Sequence, residues 1–124
     1  MRILFLDDDY DRHLKFDLDR KKPENEIHHI FLPWECVKRL SNYEFDEVHL
    51  DHDLGTTLDN MGRVFEQDAK FVVNWLVAQK KNIPLIHIHS WNIHGATWME
   101  FKLKEAGYNV TVLPFDFQDF YDGK

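Results

Sequence analysis

An open α/β fold built on a parallel sheet is predicted for this chain of 124 residues by three observations. Strand-like and helix-like stretches alternate along it. No Gly/Ser linker, repeat or low-complexity tract interrupts them. Three strand-like runs, RILFLDDD (Arg2 to Asp9), EVHLDHDLG (Glu47 to Gly55) and LIHIHSWN (Leu85 to Asn92), stop abruptly in acid, imidazole or hydroxyl. Such a sheet presents ligands from its carboxyl edge, where the strand order reverses. The length suits one domain, 1–124, with a core of its own.

The elements follow in order. The apolar run Ile3 to Leu6 predicts a strand over 2–7, and Asp9 with Arg12 reads as the capped start of a helix over about 10–21, ended by Pro23 and Glu24. A strand over 27–32, a helix over 33–42 and a strand over 47–51 come next. The stretch Gly55 to Gln67 is then a long connection, leading to a helix over 65–81. Pro84 opens a strand over 85–90. A helix over 94–106 has Gly107 where a C-cap falls, and a strand over 109–113 closes the series. Trp75, Leu76, Trp98 and Met99 lie in helical patterns and read as core. IHHIFL and VHL are less apolar than buried parallel strands usually are, because histidines interrupt them.

Composition narrows the function. A net charge of -7 argues against broad nonspecific nucleic-acid binding, which needs clustered Lys and Arg. It leaves room for a small phosphate ligand held through a metal. Cys36 is the single cysteine, so no internal disulfide is expected; it reads as a buried helix residue of a protein in the reducing cytoplasm. Ile3 to Leu6 is too short for a signal peptide or membrane span, and no membrane partner is expected.

The paired acids after the first strand, Asp51 followed by His-Asp-Leu-Gly, Ser90 ending the fourth strand and Pro114-Phe115 after the fifth resemble the receiver domain of two-component signalling, over roughly residues 1–115. The resemblance implies a flavodoxin-like fold: a five-stranded parallel sheet of order 2-1-3-4-5 with helices on both faces. It implies Mg²⁺ held by Asp7, Asp8, Asp51 and the Asp53 main-chain carbonyl, a phosphoryl group accepted by Asp51, and sensing by the Ser90 hydroxyl. Two departures stand out. Leu113 occupies the place of the lysine that pairs with the phosphorylated aspartate, and FDFQDFYDGK replaces a fifth helix. HLDHDLG and HIHSWNIHGA also resemble a receiver-like group predicted to process cyclic phosphates and associated with RNA repair. Its acidic metal pocket is flanked by histidine motifs.

Chemistry agrees with that implication. Opening a cyclic phosphodiester needs charge neutralised on the phosphoryl oxygens, an activated water and an acid for the leaving alkoxide. Asp8 and Asp51, joined by Asp7 directly or through water, are expected to hold Mg²⁺ or Mn²⁺. His52, His89 and His94 are the candidates for proton transfer. Ser90, Asn92 and the amides near Gly95 and Ala96 are candidates for phosphate at a helix N-terminus, with Arg63 as a further contact. Trp91 reads equally as a base-stacking or a packing residue.

Bland roles are assigned elsewhere. Asp9 is a helix cap, His13 a surface residue, His28 and His29 structural and partly exposed, and His49 a satisfied core residue. The aromatic and acidic tail, 115–124, is expected to cover the face of the missing helix or to form a homodimer. The function expected is a metal-dependent phosphoesterase acting on a cyclic phosphate of RNA or a nucleotide. The rivals are a degenerate receiver working as an interaction module, a nucleotide-sequestering protein and a phosphomonoesterase with an aspartyl nucleophile.

Overall fold

A computed structural model of the chain describes residues 1–58 and 61–113. The elements run β1 (Arg2–Leu6), α1 (Tyr10–Arg20), β2 (Glu26–Ile30), α2 (Pro33–Asn42), β3 (Glu47–Leu50), β4 (Asp53–Leu58), β5 (Val64–Asp68), α3 (Lys70–Gln79), β6 (Leu85–Ile88), α4 (Ile93–Glu105) and β7 (Val110–Val112). Five strands form one parallel sheet ordered β2-β1-β3-β6-β7, which is the expected 2-1-3-4-5 once the β4-β5 hairpin is left out of the numbering. No helix among the described residues is long and apolar enough to cross a membrane.

Burial fits the place of β1 inside the sheet, between β2 and β3. Ile3, Leu4, Phe5 and Leu6 are all buried, as a strand covered on both faces requires. Leu4 and Leu6 join Val48, Leu50, Ile86 and Ile88 in the main core, which α2, α3 and α4 cover through Leu40, Leu76 and Met99. Cys36 lies in this core as expected, and burial pushes its thiol pKa up. Gly107, at φ 99, ends α4 in the left-handed conformation that glycine adopts at low cost.

On the opposite face the hydrophobic cluster is small: Ile3, Phe5 and Phe16, with Ile27 packed against it. Imidazoles fill the rest. His89 stacks on Phe5 with centroids 4.9 Å apart, His13 meets its edge at 4.8 Å, and His49 lies 4.9 Å from Phe16. His29, His49 and His87, on β2, β3 and β6, and His89 just past β6 put histidine on this face, half-buried at 29 and 87 and buried at 49 and 89, where parallel strands usually carry Val or Ile. That arrangement accounts for the interrupted apolar pattern. His49 is satisfied as expected, bonded to Glu47 at 3.0 Å. His28 turns to the other face, between Phe45 and Arg39.

Two expectations are corrected. The helix placed over 65–81 begins only at Lys70, and most of the supposed connection 55–67 is an antiparallel hairpin pairing Thr56 with Glu66 and Leu58 with Val64. Gly62, at φ 80, helps the chain reverse, and β-prone threonine, valine and phenylalanine flank the reversal. Asp68 then accepts a hydrogen bond from the Lys70 amide, a local cap that fixes the true helix start. His13 is not on the surface; it is 3 % exposed beneath α1. The missing fifth helix and the tail dimer concern 114–124, outside the described residues.

The imidazole layer sets an acid limit on stability. Burial, aided by neighbouring histidines, lowers the pKa of His87 from 6.5 to about 4. Below about 6.5 the unfolded chain takes up a proton that folded His87 refuses, so stability is intact above that pH and is lost as pH falls toward 4. Urea denaturation between pH 7 and 5 should show the native protein losing about 1–2 kcal/mol more than His87→Gln. Parallel losses in the two proteins would remove His87 as a cause.

Candidate functional site

Register builds the site. Leu6 pairs with Leu50 and Leu50 with Ile88, so the residues that follow, Asp7, Asp51 and His89, stand side by side where three neighbouring strands end. Backbone bonds from the Asp51 amide to Leu6 (3.1 Å) and from the His89 amide to Leu50 (3.0 Å) carry the ladder one residue further. One ligand atom from each of the three side chains lies within 4.8 Å of the others. Strand adjacency, about 4.8 Å, sets Asp51 beside each of the other two, whereas β1 and β6 flank β3 and the His89 ring reaches across it to meet Asp7 at 2.8 Å.

Asp7 is fully buried. It accepts hydrogen bonds from the Asp9 amide (2.8 Å), from His89 Nε2 (2.8 Å) and from Arg12 Nη1 at 3.1 and 3.2 Å. Burial alone would raise its pKa, but His89, the Asp9 amide and Arg12 outweigh it and hold the carboxyl below the ordinary range. Burial lowers the pKa of His89. The pair is therefore a carboxylate facing a neutral imidazole that donates from Nε2. Asp51 is pushed the other way, to about 7, by burial and by the Asp7 charge, with Arg12 only partly compensating. Two carboxylates this close share their negative charge at a cost that a cation relieves.

Arg12 was not singled out by the sequence reading as a site residue. Its guanidinium spans Asp7, Asp51 (3.5 Å) and Asp9 (3.8 Å) from the first turn of α1. The one signal was the D-x-x-R spacing, which also reads as an ordinary helix start. Asp9 is indeed the N-cap, accepting from the Asp11 amide.

The remaining expected residues divide into two groups. Asp8 is exposed and outside the triplet; strand alternation turns it away from Asp7, and partial burial with the Asp7 charge raises its pKa. The Asp53 carboxylate is committed to His52 Nδ1 (2.8 Å) and Asn92 Nδ2 (3.3 Å). His94 is exposed on α4, outside the triplet, and Arg63 and Trp91 are exposed as well. Ser90 is buried, its hydroxyl oxygen accepting from the Asn92 amide. Asn92 caps α4 by accepting from the Gly95 amide at 2.9 Å, so that amide is already used and is not open to phosphate as expected.

What Gly95 supplies is space. A Cβ there would lie 2.5 Å from ring atoms of His52. His52 is thus clamped between α4 and Asp53, with its Nε2 buried and without a hydrogen-bond partner among the described residues. His13 Nε2 donates to the Asp7 carbonyl (2.9 Å), and its Nδ1 meets His29 (2.7 Å), which in turn contacts Asp17 (2.7 Å). A residue read as surface therefore supports the main chain at the centre of the site.

Against this geometry, comparison with known proteins is informative. A family profile described as the cyclic-phosphate processing receiver domain matches residues 2–105. Similar solved structures include the receiver domain of the Francisella response regulator 1452, at 14 % identity over 97 % of this chain and 91 % of that chain with a TM-score of 0.62. A signal receiver domain from Vibrio parahaemolyticus matches at 14 % identity over 98 % and 85 %, TM-score 0.60. A Burkholderia pseudomallei response regulator, described with a phosphorylated aspartic acid, a calcium ion and citrate, matches at 14 % identity over 90 % and 58 %, TM-score 0.61. At such identity the likeness establishes the receiver fold. No curated protein sequence matches significantly.

The His52 clamp is testable by stability alone. Gly95→Ala should cost about 1–3 kcal/mol in urea denaturation through overpacking. The same substitution in a His52→Ala background should cost less than about 1 kcal/mol, since the obstructing ring is gone. Equal costs in both backgrounds would mean that His52 is not what Gly95 accommodates.

Proposed function

The chain belongs to the cyclic-phosphate processing receiver domain family, and on that premise we propose that it is a metal-dependent phosphoesterase opening a cyclic phosphate on a nucleotide or an RNA end. The observation that carries the proposal is the buried convergence of Asp7, Asp51 and His89 within 4.8 Å at the carboxyl edge. The two carboxylates suit a hard divalent cation such as Mg²⁺ or Mn²⁺, with Asp7 and Asp51 in the roles expected of Asp8 and Asp51 and His89 orienting Asp7. The calcium ion described with the Burkholderia regulator supports the capacity of this fold to hold such a cation. When bound, the metal would polarise a phosphoryl oxygen and lower the pKa of a water.

The chain's own groups divide the rest of the work. Asp53 accepts from His52 Nδ1, which leaves the lone pair on Nε2, the atom without a partner among the described residues. His52 is accordingly the group that takes a proton from, or returns one to, the reacting oxygens. His89 donates to Asp7 and so holds that carboxylate ionised and oriented. Ser90, whose oxygen accepts from the Asn92 amide, keeps its hydrogen for a phosphate oxygen. Asn92 fixes both the α4 start and Asp53, a positioning role. Arg63, expected as a further phosphate contact, and His94, expected to transfer protons, are both exposed and take no part in the Asp7, Asp51 and His89 cluster.

A receiver-type interaction module is the second reading, favoured by the fold and by Asp51 at the phosphoacceptor position. Leu113 in place of lysine weighs against it.

Phosphorus NMR separates the readings. With Mg²⁺ or Mn²⁺ and a panel of 2′,3′-cyclic, 3′,5′-cyclic and open nucleotides, one cyclic signal should disappear catalytically and persist with Asp51→Asn or His52→Ala. Ligand broadening without turnover would point to a sequestering protein, and labelling of Asp51 by a small phosphodonor to the receiver reading. Metal binding carries its own signature. Asp51, with its pKa raised to about 7, must lose a proton to ligate. Mn²⁺ affinity, followed by EPR, should therefore fall up to about tenfold per pH unit below 7 and level off above it. A flat profile would exclude Asp51 as a ligand.

A further inference from the structure

We propose that Arg12 is the anion-gripping residue of this site, binding the non-bridging oxygens of a phosphate through the arm of its guanidinium that faces away from the acids. This deepens the phosphoesterase reading and rests on the same corner. Arg12 meets both Asp7 oxygens through Nη1 alone, at 3.1 and 3.2 Å, and the same nitrogen reaches Asp51 at 3.5 Å; Nε faces Asp9 at 3.8 Å. A guanidinium committed to a carboxylate usually pairs two nitrogens with two oxygens in a fork. Here one nitrogen serves both acids, and Nη2 has no hydrogen-bond partner among the described residues. Five N–H groups and few acceptors leave donors in reserve.

Position and charge agree. The Arg12 side chain is 28 % exposed, whereas those of Asp7 and Asp51 are 0 % and 8 % exposed, so the guanidinium forms the outer layer of the corner. A phosphate approaching the two buried carboxylates would be repelled without a cation on its path. The position directly before Pro114 is not a lysine but Leu113, whose amide is bonded to Ile88. Arg12 reaches the same acids from α1, and the Asp9 cap fixes the turn that carries it. A cyclic phosphodiester offers two non-bridging oxygens in one plane with a single negative charge, the pattern a guanidinium reads and an ammonium does not.

Binding of 2′,3′-cyclic AMP and of inorganic phosphate, measured calorimetrically with Mg²⁺ for the native protein, Arg12→Gln, Arg12→Lys and Arg20→Gln, tests the assignment. Arg20 sits at the far end of α1, paired with Glu47. Arg12→Gln should weaken binding at least about tenfold and Arg12→Lys several-fold, with Arg20→Gln unchanged. Mn²⁺ binding, read separately by EPR, should persist in Arg12→Gln, because a lost positive charge does not harm a cation site. Its loss would show that Arg12 only maintains the acids, and would overturn the proposal. So would native-like binding by Arg12→Gln, or no binding of either probe by the native protein. If Arg12→Gln does not fold, the Arg12→Lys comparison decides. Arg12-dependent binding without turnover would retain this inference and sink the phosphoesterase; turnover with an unchanged KM in Arg12→Gln would do the reverse.

Discussion

The parallel register of β1, β3 and β6 is the constraint on which the rest depends. With Leu6, Leu50 and Ile88 in line, the next residue of each strand is delivered to one spot, and the chemistry of the corner is the identity of those three residues. The apolar positions before them are wholly buried, so a one-residue slip would exchange the faces of an entire strand. Packing of Leu4, Leu6, Val48, Leu50, Ile86 and Ile88 thus determines where the acids stand. The site inherits its precision from the core.

That delivery brings like charges together, and the surroundings answer the repulsion in layers. A neutral imidazole donates to Asp7 from one side, and a guanidinium spans Asp7 and Asp51 from another. The Asp9 amide and His13, bonded to the Asp7 carbonyl, hold the main chain of the same residue. Unequal support separates the two acids: Asp7 is held ionised, while Asp51 remains poised near neutrality. Histidine serves this face better than Val or Ile would. A neutral imidazole packs against Phe5 or Phe16 and still meets polar neighbours with its nitrogens.

Local sequence revealed what depends on local pattern. Apolar runs ending in Asp7, Asp51 and Ser90 disclosed the strands and the edge, and Asp9 announced its helix cap. Residues joined by long-range geometry were less legible. Asp7 and Asp8 look alike in DDD; only strand alternation and register make one a buried acid and the other a solvent-facing neighbour. Arg12 and His13 look like ordinary helix residues until α1 is laid across β1. The hairpin escaped because FEQD is compatible with a helix, and neither the reversal near Gly62 nor the pairing of Asp53 with Asp68 is written in periodicity. Gly95 looked like a phosphate-approach glycine, and its actual neighbour is an imidazole 43 positions earlier in the chain.

The hairpin has a consequence for how this fold can vary. Its two arms are pinned at the base by the pairing of Asp53 with Asp68 and by the Ala69 amide bonded to the His52 carbonyl at 2.9 Å. Everything beyond that clasp is an excursion that leaves from the corner and returns to it. Lengthening such an excursion adds little loop-closure entropy, roughly 0.6 kcal/mol per doubling. The arm is therefore a natural graft point: its reach and tip chemistry can be exchanged among proteins of this architecture, or redesigned, while Asp51 keeps its place on β3.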